Sequence, residues 1–168
     1  MQKLTPHHNN SSSTQQVYVS YLVEKEFKVD FRIENQEEWN TNSKFSQDPT
    51  HNWGLWNHDV VECFFHYDNN PYLEIQLSPL GQAFELVIVD PRKIFYTPLT
   101  YKFNYESTLE ENIWSAHLSL PLDYFPKSGK LRANFFAILG KKVRNYYALN
   151  INKEEHADFH RPELFINL

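Results

Sequence analysis

The residues best placed to do chemistry lie in Trp56-Asn-His-Asp59-Val-Val-Glu62-Cys-Phe-Phe-His66. Residues 59–66 alternate as a strand, with Val61, Cys63 and Phe65 on one side and Glu62, Phe64 and His66 on the other. A carboxylate fixed in an apolar strand is costly to keep unless something pairs with it. Trp56, just upstream, would overlook the same face. An aromatic plate beside a fixed carboxylate suits a sugar: the ring's C–H face stacks, and the carboxylate accepts from neighbouring hydroxyls. The competing reading is a Trp flanking the core and a Glu paired with an Arg on the next strand.

Two other chemistries must be weighed. Glu62, Glu74 and Asp59 contain the residue types of a glycosidase acid and nucleophile pair. Asp59 and Glu62 differ in strand parity, so Glu62 with Glu74 is the pair that geometry allows. The spacing His156-x-x-x-His160, with Asp158 between, would bring two imidazoles together on a helix. Pro162 and an extended terminal segment argue instead for a loop. There is no nucleophile elbow and no glycine-rich phosphate loop.

Strands must position these groups. Residues 17–21 and 27–33 alternate, and the short link Glu24-Lys-Glu26 predicts a hairpin. Residues 35–52 are polar and form a long loop, with Trp39 and Phe45 as its large apolar residues. Residues 72–78 place Leu73, Ile75 and Leu77 toward a core and Tyr72, Glu74, Gln76 and Ser78 away from it. Asp68-Asn-Asn-Pro71 reads as a turn. Further strands are expected at 83–90, 101–105, 113–120, 131–139 and 142–150, with one helical turn at Pro121–Phe125. Leu131, Ala133 and Phe135 share one face of their strand, leaving Arg132 and Asn134 on the other. Without a convincing 3.6-residue apolar stripe, the fold class is all-β: an antiparallel β-sandwich of jelly-roll or immunoglobulin-like kind. If Glu62, Glu74, Gln76, Ser115, His117, Arg132 and Asn134 share one sheet face, that face is a polar, partly recessed platform.

Composition narrows the function classes. The 168 residues suit one domain, and 13 Phe, 10 Tyr and 4 Trp favour strands. A net charge of −5 argues against a nucleic-acid partner. The single cysteine, Cys63, reads as a buried thiol. No segment is long and apolar enough for a membrane helix, so no membrane partner is expected. Lacking a signal-peptide pattern, the chain as written is expected in the cytoplasm, or outside the cell or in the periplasm if a leader precedes it. Residues 1–15, rich in His, Asn, Ser and Gln, read as a disordered polar tail ahead of a domain at 16–168.

Several motifs, in order, resemble the family 9 carbohydrate-binding modules of the DOMON-like β-sandwich group. They are Trp56-x-x-Asp59-x-x-Glu62; Tyr72-Leu-Glu-Ile-Gln with Pro79 and Gly81; Trp114 leading a strand that ends at Leu120-Pro121; Arg132-Ala-Asn134-Phe135; and Asp158-Phe-His-Arg-Pro162-Glu-Leu-Phe165. The resemblance implies a non-catalytic module that binds a mono- or oligosaccharide of gluco- or xylo-type between two aromatic plates. Trp56 matches the first plate and Glu62 the acidic hydroxyl acceptor. Phe159 stands where the second plate is usually Trp, and His156 stands where the family can carry an amide. An expected Arg is replaced near Glu74. Phe159-His160-Arg161-Pro162 is expected to pin the terminus and shape the site rim. The candidate ligand-binding set is therefore Trp56, Glu62, Glu74, Gln76, Arg132, Asn134, His156, Phe159 and His160. Family members can hold structural calcium, but no ligand loop for it is evident, and no cofactor is expected. Relatives in the wider group hold haem; His117 or His66 with a Lys would be the ligands to consider, since the sole methionine is Met1. Alternatives are a glycoside-processing enzyme using Glu62 and Glu74, or a ligand-free structural or interaction sandwich. Oligomeric state is unknown.

Overall fold

Alternating apolar residues bury one strand face, and hydrogen bonding between neighbours satisfies the backbone. The computed structural model describes residues 1–10, 14–67, 71–90, 93–95, 103–125 and 129–168. Its strands are β1 (Gln2–Lys3), β2 (Thr5–Pro6), β3 (Gln16–Val23), β4 (Glu26–Glu34), β5 (Val60–Tyr67), β6 (Tyr72–Leu77) and β7 (Ala83–Asp90). They continue with β8 (Lys93–Phe95), β9 (Asn104–Glu110), β10 (Ile113–Pro121), β11 (Leu131–Leu139), β12 (Asn145–Ala148) and β13 (Ile166–Asn167). Among the described residues the helical segments are single 3-10 turns, at Leu55–Asn57, Leu122–Tyr124 and Pro162–Leu164.

The strands form two antiparallel sheets, so the all-β sandwich is what the chain adopts. One sheet runs β1-β3-β4-β10-β9; the other runs β2-β12-β11-β5-β6-β7-β8, with β13 also on β11. Between them lie Val17, Val19, Phe27, Phe31, Cys63, Ile75, Trp114, Leu118 and Phe135, the inward sets that alternation indicated. Cys63 is a buried free thiol, and burial pushes its pKa up.

The outer face of the larger sheet is not solvated. A second apolar cluster forms there from Val60, Phe64, Tyr72, Phe84, Leu86, Ile88 and Phe136 on the strands, roofed by Leu55, Phe159 and Phe165. The long loop and the C-terminal segment supply that roof. Buried Asn52 braces the loop, its side-chain amide donating to Ser46 O (2.8 Å) and Ala83 O (2.7 Å).

Several expectations need correction. Residues 1–10 are not a free tail: β1 pairs with β3 and β2 with β12. Leu4 is buried, and the Asn10 side chain brackets the Tyr146 backbone with two bonds of 2.9 Å. Composition counted too few apolar residues there, whereas strand addition supplies backbone bonds without them. Ser115 and His117 stand on the other sheet, His117 Nδ1 lying 2.7 Å from Asp30 Oδ1, so they do not share the Glu62 face. The strand expected at 142–150 is confined to Asn145–Ala148. The turn expected at 68–71 falls mostly outside the described residues, as does the first part of 101–105; the described strand there is β9.

Candidate functional site

Register places the candidate groups. Glu62 on β5 lies opposite Gln76 on β6 and opposite Phe136 on β11. Glu74 lies opposite Phe64, and on its other side opposite Leu86 of β7. With a two-residue period, Glu62, Glu74 and Gln76 therefore rise from one patch of the outer face. Above them, Trp56 ends the long loop and Phe159 enters from the C-terminal segment.

The result is a cavity of about 380 Å³, lined by Trp56, Glu62, Phe64, Glu74, Gln76, Leu86, Ile138, Tyr146, Ala157, Asp158, Phe159 and His160. Six expected residues meet there: Trp56, Glu62, Glu74, Gln76, Phe159 and His160. Arg132, Asn134 and His156 do not line it. Arg132 shares the face but reaches His66 Nδ1 at 2.7 Å and Pro162 O at 3.4 Å. Asn134 is spent on a backbone bridge, donating to Asn150 O (2.7 Å) and accepting from Asn150 N–H (3.1 Å). His156 is exposed, and its carbonyl accepts from Asn152. Arg132 and Asn134 depart for one reason: strand parity fixes a side but not the distance along it. His156, expected from its place in the terminal motif, lies in irregular chain between β12 and the last 3-10 turn.

The walls are aromatic. Trp56 is half-buried, packed on Phe84 at 5.9 Å and edge-on to exposed Trp53 at 5.0 Å. Phe159 stacks on Phe136 at 4.2 Å and meets Tyr146 edge-on at 5.9 Å. His160 Nδ1 lies 2.6 Å from the Tyr72 hydroxyl, and its ring packs on Phe64.

The floor is polar and rich in oxygen atoms. The Gln76 amide donates to Glu74 Oε1 at 2.5 Å, leaving Glu74 Oε2 and Gln76 Oε1 buried without a hydrogen-bond partner. Desolvation raises the Glu74 pKa to about 7. Glu62 is raised well above the usual carboxylate range, first by desolvation and then by Glu74; Arg144 opposes the shift. Buried acceptors without donors are costly, so this patch is expensive for the fold to keep.

Arg144 and Asp59 form the frame behind the site. Asp59 is fully buried and accepts from the backbone N–H groups of Asn40 (2.8 Å) and Gly140 (2.7 Å). Burial raises its pKa, while those bonds and Arg144 pull it back. Arg144 donates to the carbonyls of Gly140 (2.7 Å), His58 (2.5 Å) and Trp56 (3.2 Å), so it holds the turn that carries the indole. Asp59 is thus a structural acceptor, apart from the Glu62–Glu74 pair. Sequence reasoning missed Arg144 and Tyr146 on or beside β12, and Asp158 as a lining residue. Arg144 falls inside the strand expected at 142–150, and no local pattern marks it as close to Trp56.

Among the described residues no cluster of three His, Cys, Asp or Glu side chains could hold a metal ion. No helix among them is long and apolar enough to cross a membrane. His66 and His117, the haem ligands considered, lie on different sheets, each bonded to a side chain of a neighbouring strand.

No protein-family profile matches this chain. The UPF0462 protein C4orf33 homolog of Rattus norvegicus is 34% identical over 119 residues, covering 66% of this chain and 58% of the relative. The chain spans less than two thirds of the length of the curated vertebrate relatives it matches. A candidate carbohydrate-binding protein from Bacteroides uniformis has the same fold, with a TM-score of 0.78 at 12% identity over 98% of this chain and 83% of that one. A family 9 carbohydrate-binding module from Caldicellulosiruptor kristjanssonii, solved with cellotriose, gives a TM-score of 0.62 at 12% identity over 96% of this chain and 78% of its own. At that identity the likeness concerns the fold.

Proposed function

We propose that this chain is a non-catalytic saccharide-binding domain that takes a mono- or oligosaccharide end into the cavity between Trp56 and Phe159. One observation carries the reading: two aromatic walls and a buried Glu62–Glu74–Gln76 floor, with unpaired acceptors, converge on a single recess. Sugar rings present C–H faces to aromatics and hydroxyl donors to carboxylates, so each half of the recess has a counterpart on the ligand. The fold's likeness to carbohydrate-binding structures supports the same reading. A volume of about 380 Å³ is at the small end for ligand sites, which favours one sugar unit inside and any further units outside.

The non-catalytic part rests on direction. Glu62 and Glu74 rise from adjacent strands of one sheet face, offset by two residues. Both would meet a ligand from below, whereas glycosidase carboxyls flank the scissile bond. Stacking supplies about 1 kcal/mol beyond burial, and each charge-assisted bond about 1.5–3 before ordering costs. Affinity is then weak, about micromolar to millimolar.

The test is an NMR titration of the labelled protein with D-glucose, D-xylose, cellobiose and xylobiose. Shifts are expected at the Trp56 indole and at Tyr146, and they are lost in Trp56→Ala while unfolding stays cooperative. Saccharides at about 100 mM that move no resonance around the cavity overturn the proposal. Turnover of nitrophenyl glycosides, lost in Glu62→Gln, would overturn its non-catalytic part.

A further inference from the structure

The floor of the cavity has an excess of one kind of group. Glu62, Glu74 and Gln76 offer oxygens, and the Gln76 amide donates to Glu74 Oε1. Glu74 Oε2 and Gln76 Oε1 are left over, in side chains only 3% and 1% exposed. Arg144 directs its donors to the carbonyls of Gly140, His58 and Trp56 and lies 3.8 Å from Asp59. It reaches Glu62 only through space.

A neutral hydroxyl brings one donor together with an acceptor of its own, which such a floor does not need. An ammonium brings three donors and no acceptor, together with the charge that two adjacent carboxylates lack. The walls suit the same group, because aromatic faces attract cations. Resting on the saccharide reading, we infer that the cavity selects a protonated amino sugar. Its ammonium is seated among Glu62, Glu74 Oε2 and Gln76 Oε1, and its ring lies between Trp56 and Phe159. The other titratable groups at the cavity are Asp158, His160 and Tyr146, with Tyr72 bonded to His160 and Arg144 behind Glu62. Asp158 adds negative potential at the rim. Seating a cation stabilises the ionised carboxylates, so binding releases protons at neutral pH.

The experiment compares D-glucosamine, D-glucose and N-acetyl-D-glucosamine by calorimetry at pH 7 in two buffers of different ionisation enthalpy. Glucosamine is expected to bind about tenfold or more tighter than glucose, and its heat should report proton release. N-acetylation, which removes the charge, is expected to abolish the preference. Glu74→Gln and Glu62→Gln, checked for cooperative unfolding, are each expected to shrink it. Glucose binding as tightly as glucosamine overturns the amine inference and leaves the saccharide reading standing. A glucosamine preference unchanged in both variants overturns the assigned seat. Absence of binding by all three sugars overturns the amine inference, and a silent titration with D-xylose, cellobiose and xylobiose as well overturns the saccharide reading; the wild-type comparison needs no variant to fold.

Discussion

Replacing Glu74 by Gln tests the floor without any ligand. The fold holds the Glu74 proton to about pH 7, whereas an unburied Glu releases it near 4.5. At about 1.4 kcal/mol per pH unit, that gap corresponds to about 3 kcal/mol. The sign follows from proton binding: between those pH values the folded chain carries more protons than the unfolded one. Stability contributed by this group is therefore complete below about pH 4.5 and lost as pH rises through about 7. Gln at this position keeps the oxygen that accepts from Gln76 and removes the charge. Glu62, whose pKa Glu74 raises, is relieved at the same time and in the same direction. Urea or thermal unfolding followed by circular dichroism at pH 4, 6 and 8 is the assay. Variant and wild type should agree at pH 4 within about 0.5–1 kcal/mol. At pH 8 the variant should be more stable by about 3 kcal/mol, or roughly 6–12 °C in Tm for a chain of this size. A stability difference that stays constant from pH 4 to 8 would refute the reasoning, because burial of an ionisable carboxyl cannot produce it.

Other perturbations probe the frame. Glu85 is buried on the opposite face of β7, and desolvation raises its pKa to about 7, so Glu85→Gln should give a pH-dependent gain of the same sign. Measured together with Glu74→Gln, the gains should add. Asp59→Ala removes the acceptor of two backbone N–H groups and the partner of Arg144, and should cost about 3–5 kcal/mol in denaturant unfolding. Gly140 has φ 105°, and an added Cβ would lie 2.2 Å from Val143 O. Gly140→Ala should therefore destabilise by about 2 kcal/mol or more and broaden the Trp56 indole resonance, since that turn holds Arg144. Phe159→Ala uncovers Phe136 and should cost about 3–5 kcal/mol along with saccharide response, while Phe159→Leu should recover much of the stability and little of the response.

The fold was legible where side chains alternate. Phe27, Val29, Phe31 and Ile33 announce β4, Trp114, Ala116, Leu118 and Leu120 announce β10, and all eight are buried as their spacing requires. What alternation could not reveal is the roof. Alternation puts Glu62, Phe64 and His66 on the side away from the sandwich interior, and the structure agrees. That side is nevertheless apolar, because Leu55, Phe159 and Phe165 arrive from irregular segments whose sequences carry no period. The strands of residues 1–10 were hidden for a related reason: backbone pairing with β3 and β12 needs few apolar side chains, and Leu4 alone anchors them in the core.

The same limit divides the candidate site. Glu62, Glu74 and Gln76 could be grouped from sequence because they share a parity on adjacent strands. Trp56 and Phe159 needed the order of motifs, since nothing local sets a residue at 56 beside one at 159. Arg132 and Asn134 satisfy the same parity rule and still fall outside the recess. They sit toward the Tyr67 end of β5, opposite His66 and Phe64, where the C-terminal segment covers the sheet. Arg144 escaped for the converse reason: its contribution runs through the carbonyls of Trp56 and His58, which any residue type could present. Strand parity therefore identifies floor residues. Walls and braces supplied by irregular chain become visible only when the backbone that carries them is placed. A search for related sites should accordingly begin from paired buried carboxyls on adjacent strands and ask what chain covers them.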